Sequence, residues 1–109
     1  MSYNLFIDPT KEPQRDGKKW QTARSTIAAE NIIKQLGAPL AISVNYDLGK
    51  NEPYGAEIAR WLVQLDLNYS ILSHDLDIEI HGGSVVDATN MKTILRNYLK
   101  FKFKEKVTA

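Results

Sequence analysis

Three apolar runs in this chain end in residues that can carry acid–base or phosphate chemistry. Tyr3-Asn4-Leu5-Phe6-Ile7 ends in Asp8, Ala41-Ile42-Ser43-Val44 ends in Asn45-Tyr46-Asp47-Leu48-Gly49, and Ile78-Glu79-Ile80 ends in His81-Gly82-Gly83-Ser84. Carboxylates attract hard cations, and an imidazole exchanges protons near neutral pH. Glycines ahead of a helix let backbone N–H groups converge on an anion. Ligands of a parallel α/β sheet collect outside the carboxyl ends of its strands. Three parallel strands would therefore bring Asp8, Asn45, Asp47 and His81 to one rim, within roughly 10 Å of one another at the usual strand spacing of about 4.8 Å.

Each candidate also has a plainer reading. Asp8 before Pro9-Thr10 and Asp47 in Asp-Leu-Gly both suit turns in which a carboxylate accepts nearby backbone amides. His81 reads as a half-buried histidine bonded to backbone, and His74 as a solvated one. Gly82-Gly83-Ser84 lacks the lysine of a Walker loop and the third glycine of a dinucleotide fingerprint, which leaves an anion-binding turn or an ordinary strand-to-helix turn. Lys11 follows Asp8 closely enough to steer phosphate, or is an exposed loop lysine.

The elements that must position these residues follow from periodicity. Residues 3–7 suit a strand stopped by Asp8-Pro9-Thr10, since proline fixes φ and restricts its predecessor. Lys11 to Gly17 is a polar loop, and Lys18-Lys19-Trp20-Gln21-Thr22 suits an edge strand. Ile27, Ala28, Ile32, Ile33 and Leu36 fall along a helical stripe over 25–36, with Ser25 as N-cap and Gly37 as the residue that closes the helix. A strand over 40–45 follows. Ile58, Trp61, Leu62 and Leu65 predict a helix over 54–66, and 66–77 shows no period and reads as a connection. Ile78 and Ile80 mark a strand near 78–82, and Met91, Ile94, Leu95 and Tyr98 predict a helix over 87–99. This alternation predicts a parallel sheet with helices on both faces. Trp20, Trp61 and the Met91 stripe are read as packing residues. Lys100-Phe101-Lys102-Phe103-Lys104-Glu105-Lys106 alternates at period two, which suits a short added strand or an RNA- or phosphate-touching tail.

Composition sets the outer limits. The 109 residues, 43% hydrophobic and 25% charged, suit one domain over 1–109 with a basic C-terminal extension at 100–109. A formal charge of +1 gives no global reason to bind nucleic acid or membrane. The absence of cysteine excludes disulfides, thiolate metal sites and a cysteine nucleophile. No run approaches a membrane span and the N-terminus has no basic segment followed by a long apolar one, so a soluble cytoplasmic protein is expected.

In the order and spacing of its strand-end motifs the chain resembles the cyclic-phosphate processing receiver domain, a derivative of the response-regulator receiver fold. The typical pattern there is an apolar strand ending in Asp-Asp-x-Arg, then Ile-Ser-Leu-Asp-His-Asp-Leu-Gly, a Gly-Tyr-containing helix ending in Trp-Leu, and His-Ser-His-Asn before a helix with Asn-Met. Here these correspond to Leu5-Phe6-Ile7-Asp8-Pro9-Thr10-Lys11, Ile42-Ser43-Val44-Asn45-Tyr46-Asp47-Leu48-Gly49, Tyr54-Gly55 with Trp61-Leu62, and Ile80-His81-Gly82-Gly83-Ser84 leading to Asn90-Met91, over roughly residues 3–99. The departures fall on the polar positions. Pro9 and Lys11 replace an acid and an arginine, Asn45 an acid, Tyr46 and Gly83 histidines, and Ser84 an asparagine.

The resemblance implies a small three-layer receiver-like, flavodoxin-like α/β domain with about four parallel strands and three helices. Asp8, Asp47 and His81 stand as the catalytic candidates, and Lys11, Gly82, Gly83 and Ser84 as the phosphate-binding ones. No metal ligand is assigned and no cofactor is certain. Mg²⁺ is expected to bind weakly, because Asn45 removes a charge that a hard cation needs. Splitting a cyclic phosphodiester calls for a general acid and a general base, and one of the two histidines of the family's His-Ser-His-Asn motif is missing. The expectation is therefore a degenerate receiver-like module that binds a protein partner or a phosphorylated nucleotide, such as a phage or host-defence modulator. The alternative is a phosphoesterase acting on nucleotide or RNA-end cyclic phosphates.

Overall fold

The computed structural model describes residues 2–73 and 76–108, with side chains described as far as Phe103. His74, and the side chains of Lys104, Glu105 and Lys106, lie outside the described residues. The elements run β1 Asn4–Ile7, β2 Trp20–Ala23, α1 Thr26–Leu36, β3 Ala41–Asn45, α2 Ala56–Tyr69, β4 Asp77–His81 and α3 Val85–Thr108. All strands are parallel, in the order β2-β1-β3-β4. From β1 the chain moves to β2 on one side, and every later strand lies on the other. The gap between the ends of β1 and β3 is thus the topological switch point, where doubly wound folds bind their ligands. This is the receiver-like α/β fold that the sequence implied.

Alternation along the strands separates the two sheet faces. Leu5 and Ile7 of β1, Ile42 and Val44 of β3 and Ile80 of β4 enter the core, where they meet Ala29 and Ile33 of α1, Ile58, Ala59, Leu62 and Leu65 of α2, and Met91 and Leu95 of α3. Phe6, Ser43, Glu79 and His81 belong to the opposite face, and the 11–18 segment borders the groove over it. Helices were expected on both faces. Among the described residues the second face is instead bordered by the β1–β2 loop, because no helix forms between Asp8 and Trp20. Arg24 ties that loop down, donating from Nη1 to the carbonyls of Asp8 and Lys11 and from Nη2 to Glu12.

The helix ends obey local chemistry. Ser25 Oγ accepts the Ala28 N–H at 3.1 Å, and Gly37 closes α1 at φ 82°. Ile27, assigned to the buried stripe from its spacing, is exposed, since it lies about 200° around the helix from Ala29. Two boundaries extend beyond expectation. α2 continues to Tyr69, and α3 continues through the residues read as an added strand. The extension of α3 has a tertiary cause. Asp66, buried on α2, accepts Tyr98 Oη at 2.5 Å, Lys102 Nζ at 2.8 Å and the Leu72 N–H at 2.8 Å. Tyr98 and Lys102 are four residues apart on one face of α3, so the contact requires helix through Lys102. Period-two alternation over the tail concealed this i, i+4 pair.

Candidate active site

Asp8 follows directly on β1, and its N–H continues the ladder to Ala23 O at 3.0 Å. Pro9 bends the chain there. The carboxylate, fully buried, accepts the N–H groups of Thr10 at 2.9 Å and Lys11 at 2.8 Å on Oδ1. Oδ2 accepts Asn45 Nδ2 at 3.0 Å and meets His81 Nε2 at 2.8 Å. Burial works to raise the Asp8 pKa. The bonds from Lys11, Thr10, Asn45 and His81 outweigh it and hold the group well below the usual carboxylate range.

An ionised carboxylate only accepts, so the short contact at Nε2 is an N–H donated by His81. In the neutral ring Nδ1 is then the basic nitrogen. It lies 2.8 Å from Ser43 Oγ, whose hydroxyl donates to it. The imidazole lies flat on Phe6, with ring centroids 4.7 Å apart and planes 5° apart, and Trp20 meets Phe6 edge-on at 5.9 Å. Carboxylate, imidazole and hydroxyl thus form one hydrogen-bonded chain across β1, β4 and β3. Ser43 and His81 line an open groove of about 340 Å³ with Phe6 and Trp20. Lys11 and Lys18 border it together with Glu12, Asp16, Asp77 and Glu79.

The structure brings Asp8, Asn45 and His81 together as the parallel register required, with Asn45 opposite His81 in the β3–β4 pairing. Asp47 is separate. It is exposed, its carboxylate accepts the Gly49 N–H at 2.9 Å, and its own N–H caps Asn45 Oδ1 at 3.0 Å. That is the turn reading of Asp-Leu-Gly. Lys11 reaches Asp8 through its backbone, and the residue also borders the groove. Ser84 is an N-cap for α3, accepting the Asp87 N–H at 3.1 Å and donating to Asp87 Oδ2 at 2.9 Å. Asp87 thereby sets a negative charge in the first turn, where a bound phosphate would have to sit.

Gly82 and Gly83 both have positive φ, 72° and 68°. A Cβ on Gly83 would lie 2.3 Å from the Tyr46 ring, and one on Gly82 would lie 2.7 Å from Asn45 Oδ1. Tyr46 therefore fills the space beside Gly83, and these are two of the three positions at which the family pattern has histidines, His81 being the third. The two departures are coupled by packing. Gly83→Ala is expected to destabilise the protein by about 1–3 kcal/mol through overpacking and strain, with much of the loss recovered in Gly83→Ala/Tyr46→Ala. Chemical denaturation of the single and double variants checks this through the coupling energy.

The sequence missed Ser43, Phe6 and Arg24. Ser43 was detectable as a polar residue inside an apolar strand, two positions before Asn45 and hence on the same sheet face.

The donor set does not fit a Mg²⁺ ion. Both Asp8 oxygens are occupied by N–H donors, Asn45 turns its amide hydrogens toward Asp8, and Asp47 is engaged with Gly49. Among the described residues no group of three or more acidic or histidine side chains is placed to hold a metal. Titration calorimetry is expected to find Mg²⁺ affinity no tighter than about millimolar, with tightening in Asn45→Asp, which sets a second carboxylate against Asp8.

Residues 3–97 match the family profile of the Cyclic-phosphate processing Receiver domain, and the chain belongs to that family. No curated protein and no solved structure matches it. Among the described residues no helix is long and apolar enough to cross a membrane.

Proposed function

We propose that this member of the cyclic-phosphate processing receiver family is a phosphoesterase-type enzyme acting on a nucleotide or RNA-end cyclic phosphate bound in the groove over the open sheet face. The observation that carries this reading is the Asp8–His81–Ser43 chain, because it leaves a basic imidazole nitrogen on the wall of an open cavity. A carboxylate that fixes one ring nitrogen as a donor makes the other a general base of defined direction. The groove suits a singly charged ligand. Glu12, Asp16, Asp77 and Glu79 oppose Lys11 and Lys18, which disfavours a polyanionic strand and tolerates the one negative charge of a cyclic phosphodiester. Phe6 and Trp20 supply apolar surface for the nucleoside.

The packing of Tyr46 on Gly83 favours a second reading, a catalytically silent module that binds a nucleotide or a protein partner, in a phage or host-defence setting for example. The space for the second histidine is closed in this chain. NMR titration with a nucleoside 2′,3′-cyclic phosphate separates the groove from other surfaces. The proposal expects shifts at Phe6, Ser43 and His81, saturating at millimolar ligand or below. Shifts confined to other surfaces, or none, overturn it.

A further inference from the structure

We propose that Ser43 is a covalent nucleophile, so that the reaction passes through a seryl phosphodiester, with His81 serving the serine oxygen in both steps. The inference rests on the phosphoesterase reading and adds a catalytic residue to it. Three observations carry it: Ser43 Oγ sits 2.8 Å from His81 Nδ1, His81 Nε2 is held 2.8 Å from Asp8, and Ser43, although buried, is among the residues that line the groove. A nucleophile within hydrogen-bond reach of a base that a third group orients is the constellation of serine hydrolases, here with the roles of the two ring nitrogens exchanged.

The chemistry balances with the groups present. In the first step Nδ1 takes the hydroxyl proton as Ser43 Oγ attacks phosphorus. The Oγ–P bond forms, the bond from phosphorus to one ribose oxygen breaks on the opposite side, and that oxygen takes a proton from water in the open groove. In the second step water attacks from the side the ribose oxygen left and gives its proton to solvent. The Oγ–P bond breaks, and Ser43 recovers its proton from Nδ1. The sum is a cyclic phosphodiester plus water giving a phosphomonoester. His81 stays on the Ser43 side throughout, as base when serine enters and as acid when it leaves. In both steps water in the groove serves the opposite side of phosphorus. Two successive inversions retain configuration at phosphorus, whereas direct hydrolysis inverts it.

The test uses an alkyl fluorophosphonate, in which serine attack forms Oγ–P, breaks P–F and releases fluoride. Peptide mass spectrometry of the wild type is expected to place the adduct on Ser43. Labelling should slow by about 10²-fold or more in His81→Ala and vanish in Ser43→Ala, with the fold of each variant verified by its amide NMR spectrum. Ser43→Ala should also lower cyclic-phosphate turnover by about 10²-fold or more, and a chiral cyclic phosphorothioate should be opened with retention. Turnover with inversion, no adduct and a Ser43→Ala rate within about threefold of wild type would overturn the nucleophile and leave the phosphoesterase reading standing. An adduct on Ser43 without turnover of any cyclic phosphate supports the nucleophile and overturns the phosphoesterase reading. No adduct and no turnover overturn both.

Discussion

His81→Ala is expected to reduce hydrolysis of a nucleoside 2′,3′-cyclic phosphate by about 10²-fold or more, the usual scale for removing a general acid or base. The ring joins Asp8 to Ser43, and its removal also uncovers the face of Phe6. Asp8→Asn supplies the companion result. An amide is nearly isosteric, but it can turn an N–H toward His81 Nε2, which then becomes the acceptor and Nδ1 the donor. Ser43 loses its base while the groove keeps its shape, so kcat should fall with KM little changed. Steady-state kinetics on both variants check the pair. A catalytically silent binder would show no wild-type turnover, and its ligand affinity would respond only modestly to His81→Ala.

Asp66→Ala carries the largest expected effect on stability. Its carboxylate joins α2 to α3 and to the strand-ward segment through Tyr98, Lys102 and the Leu72 N–H, and Lys102 also donates to Leu72 O at 2.8 Å. Removing one member of a buried pair strands the others, which costs about 3–5 kcal/mol. The low end applies, because the Lys102 side chain is 21% exposed. Urea denaturation should show that loss, and Lys102→Met, which leaves Asp66 its two other donors, should lose less. Asp66 also adds to acid sensitivity. Burial works to raise its pKa, yet the bonds from Lys102, Tyr98 and Leu72 leave it lowered, as those at Asp8 do. The folded state therefore binds these protons less readily than the unfolded one. The stability they contribute is full above the ordinary carboxylate value of about 4 and is lost as pH falls through it toward the depressed values. The urea midpoint should fall between pH 7 and pH 3, and fall less in Asp66→Asn. The same pair acts on Tyr98, which burial first and Asp66 second push up to about 12.

Much of this arrangement was legible in the chain. β1, β3 and β4 announce themselves as short apolar runs, and their parallel alignment alone brings Asp8, Asn45 and His81 together, since each is the first polar residue at its strand end. Side-chain direction was not legible. Asp47 reads like Asp8 in sequence, yet the Asp47–Tyr54 bridge turns the backbone so that its carboxylate serves Gly49. Ser43 was detectable as a polar residue on the site's face of β3, but its partner was not, because its role depends on His81, which lies 38 positions away in sequence. The continuation of α3 was concealed for a similar reason. Lys102 looks like a solvated lysine until Asp66, on another helix, gives it a partner. Local pattern fixes elements, whereas the Ser43–His81 and Asp66–Lys102 contacts are long-range and follow from how strands align and helices pack.

The central claim is that the Asp8–His81–Ser43 chain does chemistry on a cyclic phosphate, and ³¹P NMR of the wild-type protein with an excess of a nucleoside 2′,3′-cyclic phosphate tests it most directly. The predicted result is conversion of the cyclic resonance to that of a single phosphomonoester over many equivalents of enzyme, abolished in His81→Ala and unaffected by chelation of Mg²⁺. An unchanged cyclic resonance after prolonged incubation, with the ligand shown to occupy the groove, would contradict it.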